Sequence, residues 1–273
     1  MSQAPGTTLD AAARYHETGW YAADFSLDHR SVSALRSRIT ALGEQRRPEV
    51  VQEKEGGATR AIHGCHAWDD LCAALVGLPE LVGLAMSLLG GPVYTYQFKV
   101  NFKQPYEGAA WPWHQDYAFW QEEDGMPRPD AVNIAIALDH AHEGNGPLTV
   151  IPGSHRLGLL DLPASDTRTG DWRDHVSSDL AYTVSPDRAA RLSAELGTEL
   201  LVGPAGTVHA FHPSIVHSST DNLSPDRRAL LLITYNAVTN APAAPARPDF
   251  LVSRDIAPVT PGADARLTLR QVR

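Results

Sequence analysis

The sequence predicts a mainly β protein in which a double-sheet core carries α-helices at its N-terminal side. Helical periodicity comes first along the chain, and a series of short strand-like runs follows it. No helix of convincing length is evident between Val93 and Ile151. Because a doubly wound α/β sheet alternates strands with helices, that class is disfavoured, and two packed antiparallel sheets are favoured.

Three helices are predicted before residue 92. In residues 28–45 the apolar side chains recur at steps of three and four, namely Val32, Leu35, Ile39 and Leu42. A second helix is predicted for residues 68–76, with Gly77 just past its end. A third begins at Pro79 and stops at Gly90 and Gly91, because glycine suits a helix C-terminus.

After Pro92 the pattern of apolar residues changes to a period of two residues, which is typical of a β-strand. In Val93–Lys103, one face carries Tyr94, Tyr96, Phe98, Val100 and Phe102, and the other carries Thr95, Gln97, Lys99, Asn101 and Lys103. Clusters of turn residues separate four further strand-like runs, which are residues 131–138, 148–151, 206–211 and 229–235.

A polar, acidic insertion interrupts the strands at residues 163–199. Ser185 and Pro186 read as the cap and first residue of a helix within it. An insertion of this length inside a compact domain is usually a lid or a binding loop. With 273 residues, 43% of them hydrophobic, we expect a single domain over residues 1–273 with a lid at 163–199.

Composition narrows the function classes. The formal net charge of −9 gives no basic footprint for nucleic acid, and no apolar run approaches the roughly 18 residues of a membrane span. Residues 1–10 lack the features of a signal peptide, and two cysteines, Cys65 and Cys72, cannot form a disulfide framework. We therefore expect a cytoplasmic protein that acts on a small molecule.

The densest chemistry lies between Trp111 and Trp120. In an extended segment His114 and Asp116, two residues apart, project from the same face. An imidazole and a carboxylate on one face are two of the three ligands in the 2-His-1-carboxylate triad of non-haem Fe(II). The pair alone is also compatible with an ordinary surface turn.

A second cluster strengthens the metal interpretation. His217 follows a strand-like run, and Arg228 opens the next run, so a hairpin can bring the arginine back over the histidine. A 2-oxoglutarate cosubstrate needs both features, because its distal carboxylate is well matched by a guanidinium. His209 and His212 compete for the role of third ligand, and the spacing to Arg228 favours His217.

These motifs resemble the phytanoyl-CoA dioxygenase superfamily of Fe(II)/2-oxoglutarate oxygenases over about residues 15–255. Two groups of amino-acid hydroxylases carry the most specific runs. Ectoine hydroxylases share Glu123-Asp-Gly-Met-Pro127 and Ile151-Pro-Gly-Ser-His155. Bacterial trans-4-proline hydroxylases share more, including Trp111-Pro-Trp-His-Gln-Asp-Tyr117 and Arg247-Pro-x-Phe250. The pair Tyr117-Ala118 departs from the usual ectoine pattern.

The resemblance implies a jelly-roll, cupin-like double-stranded β-helix that uses Fe(II), 2-oxoglutarate and O2. It implies His114, Asp116 and His217 as metal ligands and catalytic centre. Arg228 would bind 2-oxoglutarate, helped by Gln97, Asn101, Asn133 and Ser219. The substrate residues would be Trp120, Tyr117, Arg247 and His63, with Arg247 facing the substrate carboxylate.

The expected reaction is hydroxylation of a free amino acid, most of all L-proline or a cyclic analogue such as pipecolate. Ectoine or another small biosynthetic metabolite is the alternative substrate. Two other classes stay open: a zinc-dependent hydrolase with the same ligands, and a non-catalytic cupin-like metal-binding protein. His63, Cys65 and His66 lack a fourth ligand for a structural zinc site.

Overall fold

The computed structural model describes residues 8–53, 57–160, 172, 180–243 and 245–272. These residues form two antiparallel sheets that face each other, with helices against the outside of the larger sheet. The predicted fold class, a mainly β double-sheet core with flanking N-terminal helices, is confirmed.

The described α-helices, in chain order, are α1 (Thr8–Thr18), α2 (His29–Gly43), α3 (Asp70–Val76), α4 (Pro79–Leu89), α5 (Asp116–Asp124) and α6 (Pro186–Leu196). The described strands are β1 (Trp20–Leu27), β2 (Val50–Gln52), β3 (Thr59–His63), β4 (Val93–Lys103), β5 (Trp111–His114), β6 (Ala131–Ala137), β7 (Leu148–Val150), β8 (Glu199–Leu201), β9 (Thr207–Phe211), β10 (His217–Ser219), β11 (Arg228–Ala237) and β12 (Leu269–Gln271).

The larger sheet has eight strands in the order β12-β1-β9-β6-β11-β4-β3-β2, and the smaller has four in the order β5-β10-β7-β8. Neighbours in both sheets pair antiparallel. Strands that are distant in sequence become neighbours, as expected for a jelly roll. The two longest pairing partners, β4 and β11, lie side by side in the middle of the larger sheet.

The main hydrophobic core lies between the larger sheet and helices α2, α3 and α4. The predicted apolar stripe of α2 is fully buried there: Val32, Leu35, Ile39 and Leu42. Asp28 caps this helix by accepting a hydrogen bond from the Ser31 amide at 2.8 Å. Periodicity and capping therefore located α2, α3 and α4 within a few residues of their ends, whereas α1 and the strands β1, β2 and β3 were not predicted.

Three sequence expectations about local structure are wrong. The first is that no substantial helix lies between Val93 and Ile151, since α5 has nine residues there. Six of those nine residues are buried, Tyr117 to Trp120 in one run, so the helix shows no polar face. Without a polar face, apolar periodicity cannot identify a helix.

The second concerns β4, whose aromatic residues do not all share one face. In register with β11, Gln97 lies opposite Thr234 and Thr95 opposite Tyr235, so Tyr96 between them is an extra, unpaired residue. Such a bulge breaks the alternation of side chains. Phe98, Val100 and Phe102 consequently pack with the helices, whereas Tyr94 and Tyr96 pack with Trp120.

The third is the hairpin between His217 and Arg228. β10 belongs to the smaller sheet and β11 to the larger, so residues 220–227 cross from one sheet to the other. Because the two sheets face each other, both residues still line one cavity.

Helix α6 begins as predicted, with Ser185 as its cap and Pro186 as its first residue. Of the insertion predicted at 163–199, residues 163–171 and 173–179 lie outside the described residues. Leu180, Ala181 and Tyr182 are buried against Phe119 and Trp120.

Within the described part of the chain, no single helix is long and apolar enough to cross a membrane. Helices α3 and α4 reach that length and hydropathy only when they are taken together across a bend of 43°.

Candidate active site

Two histidines face each other across neighbouring strands of the smaller sheet. His114 is the last residue of β5, His217 is the first of β10, and the two lie directly opposite in the antiparallel register. Side chains in such a pair approach closely, and the two ring centroids are 4.1 Å apart. The sheet register therefore brings together residues that are 103 positions apart in the sequence.

Asp116 joins them from the first residue of α5. Its Oδ1 lies 3.8 Å from His114 Nε2, and its Oδ2 lies 3.9 Å from His217 Nε2. The predicted proximity of His114 and Asp116 is confirmed. His114 ends β5 and Gln115 keeps extended backbone angles (φ −123°, ψ 124°), so the two side chains leave the same face of an extended segment, just before the chain enters α5.

Hydrogen bonds fix which nitrogen of each histidine is available. His114 Nδ1 lies 2.7 Å from the Pro112 carbonyl, and His217 Nδ1 lies 2.9 Å from the Ile215 carbonyl. A carbonyl only accepts, so each Nδ1 carries the proton and each Nε2 presents a lone pair. Burial lowers the pKa of both rings, that of His114 to about 3, which keeps them neutral.

The carboxylate of Asp116 is held charged by its surroundings. Burial alone would raise its pKa, but the ammonium of Lys99, 3.6 Å away, the two histidines and the hydrogen bond from Asn133 together lower the pKa to about 2. Asn133 Nδ2 donates to Asp116 Oδ2 at 2.8 Å, and Thr234 Oγ1 donates in turn to Asn133 Oδ1 at 2.6 Å. These bonds leave the carboxylate ionised and fixed in orientation.

The donor set fits a divalent transition metal. The three ligand atoms lie within 4.8 Å of one another, and all three residues are buried. Two neutral imidazoles and one carboxylate form the facial triad that suits non-haem Fe(II) and leaves coordination positions open. Among the described residues this is the group of histidine, cysteine and acidic side chains that is arranged to hold a metal.

The competing histidines lie elsewhere. His209 is on β9 in the other sheet, with its ring 6.2 Å from that of Trp20. The ring centroid of His212 lies 5.0 Å from that of His155. Neither is grouped with other metal-ligating side chains within the described residues, so the geometry selects His217.

One cavity opens beside the triad and contains most of the residues that the sequence assigns to the cosubstrate. Gln97, Asn101, Ser219 and Arg228 line this cavity together with the three ligands. Gln97 Nε2 donates to the Leu251 carbonyl at 2.8 Å. Asn133 is not among the lining residues, because it lies behind Asp116 and orients that carboxylate.

Arg228 reaches the cavity from the larger sheet. Its Nη2 donates to the Gly146 carbonyl at 2.7 Å, while its buried Nε has no partner among the described residues. Burial, aided by the charge of Arg60, lowers its pKa to about 10, so the guanidinium is still protonated at neutral pH. A buried cation with an unused donor is suited to receive an anion.

The substrate residues predicted from sequence are only partly brought together. Trp120, His63 and Arg247 line the cavity, but Tyr117 does not. Tyr117 is buried in the hydrophobic cluster that also contains Trp120, and its hydroxyl donates to the Met126 carbonyl at 3.4 Å. Phe119, which the sequence analysis did not assign, lines the cavity.

Gln115, between the two metal-ligand residues, was missed by sequence reasoning. It is fully buried, and its Nε2 donates to the carbonyls of Ser214 (2.6 Å) and Gly158 (2.9 Å). Its Oε1 accepts from the Leu160 amide at 2.9 Å. The side chain thus ties β5 to the segment before His217 and to residues 158–160. Only its place between two ligand candidates could have drawn attention to it.

Fold and donor set together define a class of oxygenase, and comparison with known proteins identifies the family. The model of the phytanoyl-CoA dioxygenase (PhyH) family matches residues 15–230, and the chain belongs to that family. The resemblance stated from the sequence is confirmed.

Two named relatives give the next level of detail. L-proline trans-4-hydroxylase from Streptomyces griseoviridis is 58% identical over 255 residues, which are 93% of this chain and 95% of the relative. Ectoine dioxygenase from Nocardia farcinica is 31% identical over 242 residues, 85% of this chain and 80% of the relative. Both groups of hydroxylases suggested by the sequence motifs are therefore found among its relatives.

Solved structures of EctD share the fold. EctD from S. alaskensis with bound Fe superposes with a TM-score of 0.78 at 28% identity, covering 95% of this chain and 88% of that one. The same enzyme with 2-oxoglutarate and 5-hydroxyectoine gives a TM-score of 0.76 at 28% identity, with coverages of 93% and 86%.

Proposed function

We propose that this chain is an Fe(II)- and 2-oxoglutarate-dependent dioxygenase that hydroxylates a free amino acid, L-proline or a cyclic analogue such as pipecolate. One observation carries the reaction class: the triad of His114, Asp116 and His217 shares a cavity with Arg228, whose buried Nε has no partner among the described residues. The relative named L-proline trans-4-hydroxylase, at 58% identity, supports the substrate.

Bound Fe(II) and 2-oxoglutarate would supply the oxidising chemistry, in which O2 and 2-oxoglutarate become succinate, CO2 and one oxygen atom for the substrate C–H bond. The Nε2 atoms of His114 and His217 and one carboxylate oxygen of Asp116 would hold the metal. A metal with three protein ligands would keep coordination positions for cosubstrates.

Arg228 is proposed to bind the distal carboxylate of 2-oxoglutarate. Its guanidinium is charged and enclosed, and Ser219 and Asn101 contribute polar groups to the lining of the same cavity. A carboxylate that enters this buried region exchanges water for charge-assisted hydrogen bonds, which fix its orientation.

The rest of the cavity suits a small zwitterion with an apolar ring. Trp120, Phe119 and Leu180 offer an apolar wall for the ring, while Arg247 offers a guanidinium for the carboxylate. His63 lines the same region, and its buried Nε2 has no hydrogen-bond partner among the described residues. Burial, with the charges of Lys99 and Arg247, lowers the pKa of His63 to about 3, so it would meet the substrate as a neutral ring.

Two measurements test the proposal. Anaerobic addition of Fe(II) and 2-oxoglutarate should produce a weak visible charge-transfer band, which neither a zinc hydrolase nor a metal-binding protein that does not take 2-oxoglutarate gives. Succinate formation should then be stimulated by L-proline or pipecolate. NMR of the product identifies the hydroxylated carbon. Stimulation by ectoine alone would transfer the assignment to the second group of relatives, which the 31% identical ectoine dioxygenase represents.

A pair of histidine variants tests the metal ligands. His217→Ala should lose Fe(II) binding and turnover, because it removes one of three ligands. It should keep the fold, because the pairing of β10 with β5 and β7 uses backbone groups. His209→Gln, a buried histidine in the other sheet, serves as the control and should keep both. Retained activity in His217→Ala would reject His217 as a ligand.

We further propose that residues 1–273 act as one domain, with residues 163–199 as a lid over the substrate. The proposal is supported by Leu180, which lines the cavity, and by Tyr182, whose hydroxyl donates to Glu123 Oε1 at 2.8 Å. Hydrogen exchange in 163–199 should slow when proline joins the Fe(II)–2-oxoglutarate enzyme, and unchanged exchange would reject the lid. The free thiols of Cys65 and Cys72 support a cytoplasmic location.

A further inference from the structure

Asp124, the last residue of α5, is a buried carboxylate that does not itself line the cavity and has no role in the metal site. It forms a two-point ion pair with Arg247: Nε donates to Oδ1 at 2.9 Å, and Nη2 donates to Oδ2 at 2.5 Å. The Asp124 side chain has no exposed surface, and that of Arg247 is 7% exposed. The hydroxyl of Tyr96 donates to the same carboxylate.

This pairing determines which part of the guanidinium remains available. A guanidinium has five N–H bonds, and two neighbouring nitrogens can hold one carboxylate. Asp124 occupies the edge formed by Nε and Nη2 of Arg247. Nη1 has no partner among the described residues, so the edge formed by Nη1 and Nη2 can hold a second carboxylate. Arg247 lines the cavity, with Lys99 and His63 nearby.

The surrounding chain fixes Asp124 in place. Gly125 ends α5 in the left-handed region at φ 71°, so the helix stops at this carboxylate. Tyr96 reaches it because the bulge in β4 places this ring on the side of Trp120. Although burial opposes a charged guanidinium, the hydrogen bonds to Asp124 and its charge raise the pKa of Arg247 above its ordinary value. Arg247 is therefore both ionised and held in one orientation.

We propose that Asp124 is a positioning residue that holds Arg247 so that its Nη1–Nη2 edge binds the carboxylate of the amino-acid substrate. The inference rests on the proposed function, because it requires a substrate with a free carboxylate. Tyr96 contributes by orienting the Asp124 carboxylate. Neither residue needs to touch the substrate.

A purely structural role for the same ion pair makes a different prediction. Breaking a buried pair weakens any fold, and a distorted cavity binds every ligand less well. If Asp124 instead positions Arg247, its loss weakens the binding only of compounds that carry the carboxylate that Arg247 binds. Comparing L-proline with L-prolinamide, which keeps the ring and the amine but replaces the carboxylate by a neutral amide, separates the two roles.

The test uses the complete enzyme loaded anaerobically with Fe(II) and 2-oxoglutarate, and it measures binding of both compounds by titration calorimetry. Asp124→Asn keeps the size of the side chain and removes its charge. Glu122→Gln makes the same chemical change at an exposed position of α5 and serves as the control. We expect Asp124→Asn to raise the Kd of proline at least tenfold and to change the Kd of prolinamide by less than twofold. The preference of the wild type for proline over prolinamide should therefore be reduced. The control should keep the preference.

Equal weakening of both compounds, or no change in either, would overturn the inference. If Asp124→Asn does not fold, Tyr96→Phe is the deciding variant, because it removes a single hydrogen bond to Asp124. A reduced preference for proline over prolinamide in this variant supports the positioning role, and an unchanged preference rejects it. A wild type that forms no succinate with proline or pipecolate rejects the proposed function, and the inference with it. A wild type that turns over proline, with an unchanged preference in the variants, rejects the inference alone.

Discussion

Two adjacent arginines at the start of β11 point in opposite directions and should have separable roles. Arg228 faces the cavity, whereas Arg227 lies on the helix side with Nε 2.9 Å from Asp139 Oδ2 and Nη1 3.2 Å from Thr40 Oγ1. Removing Arg228 would leave the distal carboxylate of 2-oxoglutarate unpaired in an enclosed region, which costs about 2–5 kcal/mol. Arg228→Ala should therefore raise the KM for 2-oxoglutarate at least roughly 30-fold.

Arg227→Ala is the matched control for that variant. Its ion pair is partly exposed and should contribute no more than about 1 kcal/mol to the free energy of unfolding. We expect a small loss of stability and an unchanged KM for 2-oxoglutarate. Steady-state kinetics with varied 2-oxoglutarate check both variants, and a larger effect on KM from Arg227→Ala would show that the roles are reversed.

Lys103 is a fully buried lysine whose nitrogen donates to the carbonyls of Ala109, at 3.0 Å, and Thr220. Burial, together with the charges of Arg228 and Arg60, lowers its pKa to about 6. A neutral amine still has two N–H bonds for these two carbonyls, so the contacts are compatible with the neutral form. The charged groups Asp221 and Glu53 act in the opposite direction.

This lysine predicts a pH dependence of stability. Its folded-state pKa is below the ordinary value near 10.5, so between pH 6 and 10.5 the unfolded chain binds one more proton than the folded chain. Stability therefore rises with pH in this window, by up to about 1.4 kcal/mol per pH unit. Urea unfolding between pH 7.5 and 9.5, above the histidine range, should show this rise in the wild type and a flatter curve in Lys103→Met. Parallel curves would contradict the assignment.

At the scale of elements, Gln115 links three segments that converge at the metal site. Gln115→Ala would leave the carbonyls of Ser214 and Gly158 and the amide of Leu160 without their partner. The Ser214 carbonyl is buried, and an unpaired buried group costs about 1–3 kcal/mol, so we expect a loss of this size in the free energy of unfolding. Fe(II) affinity should fall as well, because one of the bonds that connect Gln115 to the segment before His217 is lost.

The control for Gln115 is Gln121→Ala, which truncates an exposed glutamine on α5. It should change neither property. Denaturant unfolding of the apo protein and Fe(II) titration measure the two effects. A Gln115→Ala variant with wild-type stability and wild-type Fe(II) affinity would show that the three bonds are dispensable.

The sequence predicts elements well where one face is apolar and the ends are marked. The bounds of β4 and the start of α6 agree with the structure for this reason. Helix α5 and the bulge at Tyr96 escape prediction, because one is buried on most sides and the other depends on pairing with β11. Spacing likewise suggested the metal triad, but the bond between Asp124 and Arg247 joins residues 123 positions apart and has no local signal.

At the scale of the whole molecule, the proposed ligands come from both sheets. The two histidines belong to the smaller sheet, and Arg228 belongs to the larger. A 2-oxoglutarate molecule that contacts both the metal and Arg228 would therefore connect the sheets. A ligand that binds only the folded state raises the free energy of unfolding, by about 2.7 kcal/mol when the free ligand concentration is 100 times its Kd.

We therefore expect Fe(II) and 2-oxoglutarate together to raise the Tm by more than the sum of their separate effects. Anaerobic thermal unfolding with each ligand and with both measures this difference. In Arg228→Ala the extra increment should be lost while the increment from Fe(II) alone remains. Simple additivity in the wild type would show that the cosubstrate does not connect the sheets.

Helix α5 also has a consequence for how substrate range can evolve. It joins Asp116 to Asp124 through eight steps of about 1.5 Å, so about 12 Å of rigid backbone separates a metal ligand from the residue that holds Arg247. A helix does not stretch, and one inserted residue would turn Asp124 away by about 100°. Mutations of the aromatic side chains Phe119 and Trp120 can therefore make room for substrates with larger rings. The distance between the substrate carboxylate, bound to Arg247, and the carbon that is hydroxylated would stay the same. In proteins that evolve from this one, we expect the size of the accepted substrate ring to change more readily than the position of the new hydroxyl group.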